Sequence, residues 1–392
     1  MAAKTDRPKN RWLTLGVLMA AHGVNDGFMW IIPPLLPAIR EHFHLSYTEM
    51  GAFLTLYRFV GNLFQAPAAY LVHLVPISTI FVSGLLVMSV GMFAASMSTS
   101  YGSLVWISTV SGLGRATYHP LAVTMLSRLF GRDSFGRAMG LHLSGSSVGM
   151  VAAPFIAGLL LSRFGWRLPL QVWACFGMLA GLSLYFFLRN QNGNLQPKGK
   201  KLSWPFFSVS MGTYLLAAGV WGVAQGSFMV FLPLFLVDHR GFSIEAAAVA
   251  FGVMAFSGAV CRPFLGAAMD WMGRRKPIVM GGFIIAGLSL CALVFFKSTA
   301  VLYVSIVFLG IFGSGHAGLA DTFMIEMIPS HRREETLGFI YTLRMGVSSL
   351  APVVVGFASE RISLERTFLF LAAAGGLAAL LLLPAPEKPV DS

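Results

Sequence analysis

The chain has 392 residues, 56% of them hydrophobic and only 11% charged, with a formal net charge of +12. Ordinary soluble domains carry about 25% charged residues, so the composition excludes a soluble fold and points to a membrane protein. No phosphate-binding G-x-x-x-x-G-K-[ST] loop, H-E-x-x-H pair or nucleophile constellation is present, so neither nucleotide hydrolysis nor enzyme chemistry is expected.

An apolar run of about 18 residues or more reads as a spanning helix. Twelve such runs follow in order, at 11 to 37, 47 to 72, 77 to 99, 101 to 128, 137 to 161, 167 to 188, 204 to 236, 242 to 268, 277 to 296, 299 to 328, 336 to 358 and 367 to 384. The first is too long for a cleaved signal core and carries the polar stretch HGVND, residues 22 to 26, at its middle, so it stays as helix 1. Residues 189 to 203, RNQNGNLQPKGKKLS, are the longest polar stretch inside the chain. They read as a cytoplasmic linker between two six-helix halves, 1 to 188 and 204 to 392. The halves repeat one another: FMWIIP at 28 to 33 aligns with FMVFLP at 228 to 233, and Gly112, Gly140, Pro154 and Gly158 align with Gly310, Gly338, Pro352 and Gly356. The expected fold is an all-α membrane protein of twelve transmembrane helices in two pseudo-symmetric halves.

The basic excess follows this topology. With the N-terminus inside, the cytoplasmic loops and tails hold seventeen Lys and Arg against seven outside (Arg40, Arg163, Arg167, Arg240, Lys297, Arg361 and Arg366). That asymmetry satisfies the positive-inside rule with both termini cytoplasmic, in what is expected to be a bacterial inner membrane, and it removes the case for a nucleic-acid partner. Cys175, Cys261 and Cys291 show no metal-ligand or disulfide spacing and read as packing residues. No metal and no cofactor are expected, and the lipid bilayer is the only structural partner; a monomer is expected to suffice.

Gly266-Ala-Ala-Met-Asp270-Trp-Met-Gly273-Arg274-Arg275-Lys276, between helices 8 and 9, resembles the G-x-x-x-D-x-x-G-R-K/R loop of the major facilitator superfamily. The equivalent after helix 2 departs from it, with His73 in place of the aspartate. Helix 5 carries Gly149-Met-Val-Ala-Ala-Pro154-Phe-Ile-Ala-Gly158, similar to an exporter motif of that superfamily but equally suited to ordinary small-residue packing. H-x-x-N-D in helix 1, Gln65 in helix 2 and Tyr118-His119-Pro120 in helix 4 resemble the fosmidomycin-resistance branch of drug exporters. The resemblance implies a transporter whose halves rock about a midplane substrate site, and its branch implies export.

An ionisable side chain at the bilayer centre costs about 2.5 to 3.5 kcal/mol, so each needs a partner or an aqueous cavity. Helices 3, 6, 9 and 12 carry none near their centres. On helix 1, His22, Asn25, Asp26 and Met29 share one face; Arg58, Asn62 and Gln65 make a second polar stripe on helix 2, and Arg115, Tyr118 and His119 a third on helix 4. Asp26, tuned by His22, is expected to carry the coupling proton, with arginines of helices 2 and 4 as its counter-charges; the plain alternative is a permanent ion pair with Arg58 or Arg115. The excess of arginine over acid predicts an anionic ligand, held by Asn25, Arg58, Arg115, His119, Gln225, His316 and Arg344. Asp270, Arg274, Arg275, His142, Asp321 and Glu326 are expected to gate, Glu326 as an inside-face pair with Arg332 or Arg333. The expected function is proton-coupled transport of a small organic molecule, anionic or drug-like, with efflux favoured. Uptake or exchange of an organic anion is the alternative, and a non-transporting membrane sensor or scaffold is the alternative of another class.

Overall fold

Apolar segments in lipid must satisfy their backbone groups internally, and helices do so within one segment. The computed structural model describes residues 10–71, 74–189, 207–329 and 333–385, and among them every regular element is helical. In chain order these are α1 (Arg11–Phe43), α2 (Tyr47–Leu63), α3 (Gln65–Tyr70), α4 (Ile77–Ser96), α5 (Tyr101–Ala116), α6 (Tyr118–Leu129), α7 (Arg132–Phe164), α8 (Arg167–Leu188), α9 (Val209–Arg240), α10 (Ile244–Met272), α11 (Lys276–Phe295), α12 (Thr299–Phe308), a π-helical segment (Leu309–Gly315), α13 (Ala317–Glu326), α14 (Arg333–Ile362) and α15 (Leu364–Leu382).

Nine of the described helices are long and apolar enough to cross a membrane unbroken. The remaining three of the twelve crossings are assembled from pieces, and each has a local cause. Pro67 lacks the N–H that would reach the carbonyl of Leu63, the last residue of α2; Pro120 lacks the one for Ala116, the last residue of α5. The tenth crossing contains no proline. It widens instead into the π segment, where Gly310 lies so close to α10 that a Cβ would collide with Ser257 Oγ and the Met254 carbonyl. At the repeat offset that matches Gly112 to Gly310, Thr117 at the α5–α6 break corresponds to Gly315 at the end of the π segment. The two halves thus interrupt the same crossing, one by proline and one by a π turn, a device that recurs at functional sites.

By packing, the chain forms two compact units: Met1–Ile32 with Val60–Lys200, and Pro33–Phe59 with Lys201–Ser392. In the first, α1 and α7 approach backbone to backbone. A Cβ on Gly149 would overlap the Gly23 carbonyl, and one on Gly145 the Met19 carbonyl, whereas Gly140 on the same helix has open space around it. The exporter-like glycine at 149 is therefore used for helix contact, as small residues are in lipid. Trp173 Nε1 donates to the Val24 carbonyl at 3.0 Å and ties α8 to the same helix.

In the second unit, the ends of α1 and α2 are held by polar contacts. Arg40 pairs with Asp238 of α9, Tyr47 Oη donates to the same carboxylate at 2.6 Å, and Glu360 of α14 accepts from Thr48 N at 2.8 Å and Thr48 Oγ1 at 2.7 Å. α10 ends at Gly273 in the left-handed region (φ +63°), which sets the exposed Asp270 and Arg274 of the motif loop at the helix terminus. Lys276 Nζ then caps the end of α15 through the carbonyls of Leu383 (2.6 Å) and Ala385 (2.7 Å). The sequence-derived linker beyond Arg189, His73, Arg332 and the side chains of Glu326 and Arg333 lie outside the described residues.

A test of the α1–α7 contact follows from its geometry. Gly149→Val is expected to destabilise the protein by at least the roughly 1–3 kcal/mol of an overpacked core, read as a lowered melting midpoint in detergent. Gly140→Ala is expected to leave the midpoint unchanged or raise it, because alanine is the better helix former by about 1 kcal/mol. Equal behaviour of the two variants would dismiss the close approach.

Candidate functional site: two charged clusters inside the membrane

The i, i+4 spacing on α1 puts His22 and Asp26 on one face, and the α5–α6 break sets Tyr118 and His119 at the first turn of α6 opposite them. His22 Nε2 lies 3.3 Å from Asp26 Oδ2, and His119 Nε2 lies 3.3 Å from Asp26 Oδ1. Asn25 Nδ2 donates to Oδ1 at 2.9 Å, and Ser146 Oγ of α7 donates to Oδ2. The His22 ring stacks with Tyr118 (centroids 5.2 Å apart) and with His142 (4.2 Å), which also stack with each other at 6.1 Å, and Tyr118 Oη donates to the Leu18 carbonyl at 2.7 Å.

One contact decides where a proton sits. His22 Nδ1 lies 3.1 Å from the His142 carbonyl oxygen, which can only accept, so Nδ1 carries the hydrogen. Nε2 then faces the carboxylate in one of two ways. Either it is also protonated, giving an imidazolium against a carboxylate, or it is bare and Asp26 is the carboxylic acid that donates to it. A neutral His22 against an ionised Asp26 would oppose two acceptors. In either form Nε2 and Oδ2 can share a hydrogen bond across their 3.3 Å separation.

The arginines stand elsewhere. Arg115 Nη1 donates to Asn62 Oδ1 at 2.9 Å, Gln65 Nε2 donates to the same oxygen at 3.3 Å, and Arg115 Nε is buried with no partner among the described residues. Arg58 Nη1 donates to the Gly226 carbonyl of α9 at 3.0 Å. The partners of Asp26 are thus histidines, an amide and a hydroxyl, and the permanent Asp26–Arg115 pair weighed from sequence does not form. His142, expected as a gate, stacks on His22 of the Asp26 cluster.

A second cluster occupies the other unit. Arg344 of α14 grips Asp321 of α13 bidentately, through Nη1 on Oδ1 and through Nη2 on Oδ2 at 3.2 Å, and Tyr341 Oη donates to Oδ2 at 3.1 Å. Sequence placed Arg344 among the ligand-binding arginines and Asp321 among the gates; the structure neutralises each with the other. Removing one partner of a pair buried like this one costs up to roughly 3–5 kcal/mol because the other charge is stranded, less where the pair keeps some exposure, here 15% and 17%. Asp321→Ala is therefore expected to lower the melting midpoint sharply, and Asp321→Ala with Arg344→Met to recover most of the loss; a double variant as unstable as the single one would show that the pair is not the cause.

Gln225 Nε2 of α9 donates to the Gly313 carbonyl in the π segment at 2.8 Å. His316, which follows that segment, is buried with Trp221 and Phe283 against its ring, at centroid distances of 6.3 and 5.0 Å. Three residues escape the sequence reading: Ser146, a serine on an apolar helix with no periodic signal; Tyr214, fully buried on α9; and Arg262 within α10. Arg262 is legible as a further charge inside a span.

A polytopic helical protein whose interior charges gather in two polar clusters is a membrane transporter in form. A model of the family described as Major Facilitator Superfamily matches residues 18–352 and 248–392. The chain belongs to that superfamily. The "Probable nitrate transporter NarT" of Staphylococcus epidermidis is 26% identical over 373 residues, covering 92% of this chain and 94% of that protein, and its counterpart from Staphylococcus aureus strain JH9 is 24% identical over 366 residues, covering 90% of each. Among solved structures, a bacterial homolog of the human lysosomal transporter Spinster, inward-facing and occupied, superposes with a TM-score of 0.79 at 17% identity over 96% of this chain and 97% of that one. The nucleoside transporter NupG gives 0.74 at 12% identity, over 96% and 99%. The chain is thus a multi-pass membrane transporter of small molecules and not an enzyme.

Proposed function

We propose that the protein moves a small anion across the bilayer by alternating access, coupled to protons held at His22 and Asp26. The observation that carries this reading is Arg115: a guanidinium inside a membrane crossing, with an amide oxygen as its partner and its Nε unpaired among the described residues, on the same crossing as the histidine that touches the Asp26 carboxylate. A buried cation without an acid is costly, and an anionic substrate in a wet cavity removes that cost. Asn25, Arg58 and His119 are the further substrate contacts in this reading, with Gln225 and His316 supplied by the C-terminal half. The nitrate-transporter name borne by the relatives supports a small oxyanion as the substrate class, alongside the organic anions inferred from sequence.

Direction rests on the exporter-like motif of helix 5, which favours efflux by exchange against protons. Both termini face the cytoplasm of a bacterial inner membrane, by the distribution of Lys and Arg, and a monomer carries the complete set of residues. The motif loop, with Asp270, Arg274 and Arg275, serves the switch between states.

Reconstitution into liposomes under an imposed pH gradient, with nitrate, a carboxylate, a phosphonate, a neutral and a cationic compound, tests the reading. Movement of an anion that responds to the gradient is expected, and the sign of the response gives the direction. Preference for a cation or a neutral compound overturns the anion assignment, and indifference to the gradient overturns coupling. A scaffold would move none of them.

A further inference from the structure

Three metal-ligating atoms converge in the first unit: His22 Nε2, His119 Nε2 and a carboxylate oxygen of Asp26 lie within 4.8 Å of one another. Each imidazole nitrogen is 3.3 Å from the carboxylate. Ligands bound to zinc at about 2.0–2.2 Å in a tetrahedron stand roughly 3.3–3.6 Å apart, so each histidine already stands at such a distance from one carboxylate oxygen, His22 from Oδ2 and His119 from Oδ1. The His119 side chain, 37% exposed, is the most exposed of the three.

The surroundings of the triad match a metal site as well. The His22 Nδ1–H bond to the His142 carbonyl fixes the tautomer and leaves the Nε2 lone pair for a ligand, as the outer partner of a metal-bound histidine does. Asn25 and Ser146 hold the two oxygens of Asp26 in place. A single proton on the carboxyl group also serves only one imidazole, whereas a metal ion serves both nitrogens and the oxygen together. Two imidazoles and one carboxylate with an open side are the donor set of zinc and its neighbouring first-row dications; magnesium and calcium prefer oxygen, and copper(I) prefers sulfur.

We propose that the His22–Asp26–His119 triad binds a zinc-class divalent cation. Ligands must be deprotonated to bind, so acidification weakens the site. The other titratable groups facing it are His142, stacked on His22 from α7, and Tyr118 of α6, with Arg115 on the preceding turn of the same crossing.

The test uses the full chain, purified in detergent and freed of any affinity tag, titrated with zinc chloride by calorimetry and with cobalt chloride by absorption. The expected result is one site per chain at neutral pH, weakened at acidic pH, with the intense visible bands of low-coordinate cobalt. His119→Ala and Asp26→Asn are each expected to lose at least the roughly 10–100-fold in affinity that even an outer-shell change costs, while His42→Ala, an exposed histidine, retains the site. Circular dichroism and elution volume establish that each variant is folded. No saturable binding to the unmodified protein, or binding that survives His119→Ala unchanged, overturns the proposal. The measurement needs no gradient and no substrate, so its outcome is separate from that of the transport reading; zinc that binds at the triad yet leaves transport intact counts against the coupling role of Asp26 and not against the metal site.

Discussion

Asp26→Asn is expected to abolish gradient-driven accumulation while leaving downhill exchange of the anion. In the proposed coupling the carboxyl alternates between a protonated form that donates to His22 Nε2 and an ionised form that receives the imidazolium; the amide has neither state to change. The substituted side chain presents an N–H to one imidazole and an oxygen to the other groups, so it resembles the protonated form and the pocket keeps its shape. His22→Ala is expected to be milder, because His119, Asn25 and Ser146 still contact the carboxylate, and to alter the pH profile without removing coupling. The measurement is proton movement driven by substrate in proteoliposomes containing a pH-sensitive dye. Coupling in Asp26→Asn as strong as in the unmodified protein removes Asp26 from the mechanism.

Arg115→Ala is expected to reduce affinity for the preferred anion by roughly ten- to hundredfold, the range that corresponds to about 1.5–3 kcal/mol for hydrogen bonds to a charged group. Arg115→Lys is expected to fall between the two. Lysine restores the charge but not the planar fork that meets two oxygens of an oxyanion at once, and a compact ammonium on a flexible stem holds the Asn62 oxygen less firmly. Equilibrium binding to the detergent-solubilised protein separates this loss from any defect in cycling. Asn62→Ala adds a discriminating result: if Asn62 only orients the guanidinium, the variant binds weakly in the presence of Arg115 and has little further effect in its absence. An Arg115→Ala protein that binds and transports normally makes the arginine a packing residue.

The legibility of the fold differs from crossing to crossing. Nine crossings are single helices whose apolar runs suffice to locate them. The α2–α3 and α5–α6 breaks follow from Pro67 and Pro120, which stand in the sequence, although apolar length alone reads both crossings as continuous helices. The π segment has no such marker. Its glycines permit a close approach to α10, and only the approach itself, with Gly310 against Ser257 and Met254, makes the wider turn favourable.

The candidate site divides in the same way. The His22–Asp26 stripe was determined by the sequence alone, because a helix places residues four apart on one face whatever surrounds it. The repeat and the presence of charge inside the spans were likewise sequence properties, since they depend on spacing and transfer energy and not on neighbours. The partner of each charge was decided by the tertiary structure. Asp26 received histidines and a serine, and Arg344 received Asp321, because helix packing brings distant turns together: the Gly23–Gly149 contact lets α7 carry Ser146 and the His142 carbonyl up to α1, and the α5–α6 break turns His119 toward Asp26. A buried charge will accept any neighbour that satisfies it, so its chemistry, whether as proton carrier, ion pair or anion clasp, is settled by which helix face arrives beside it.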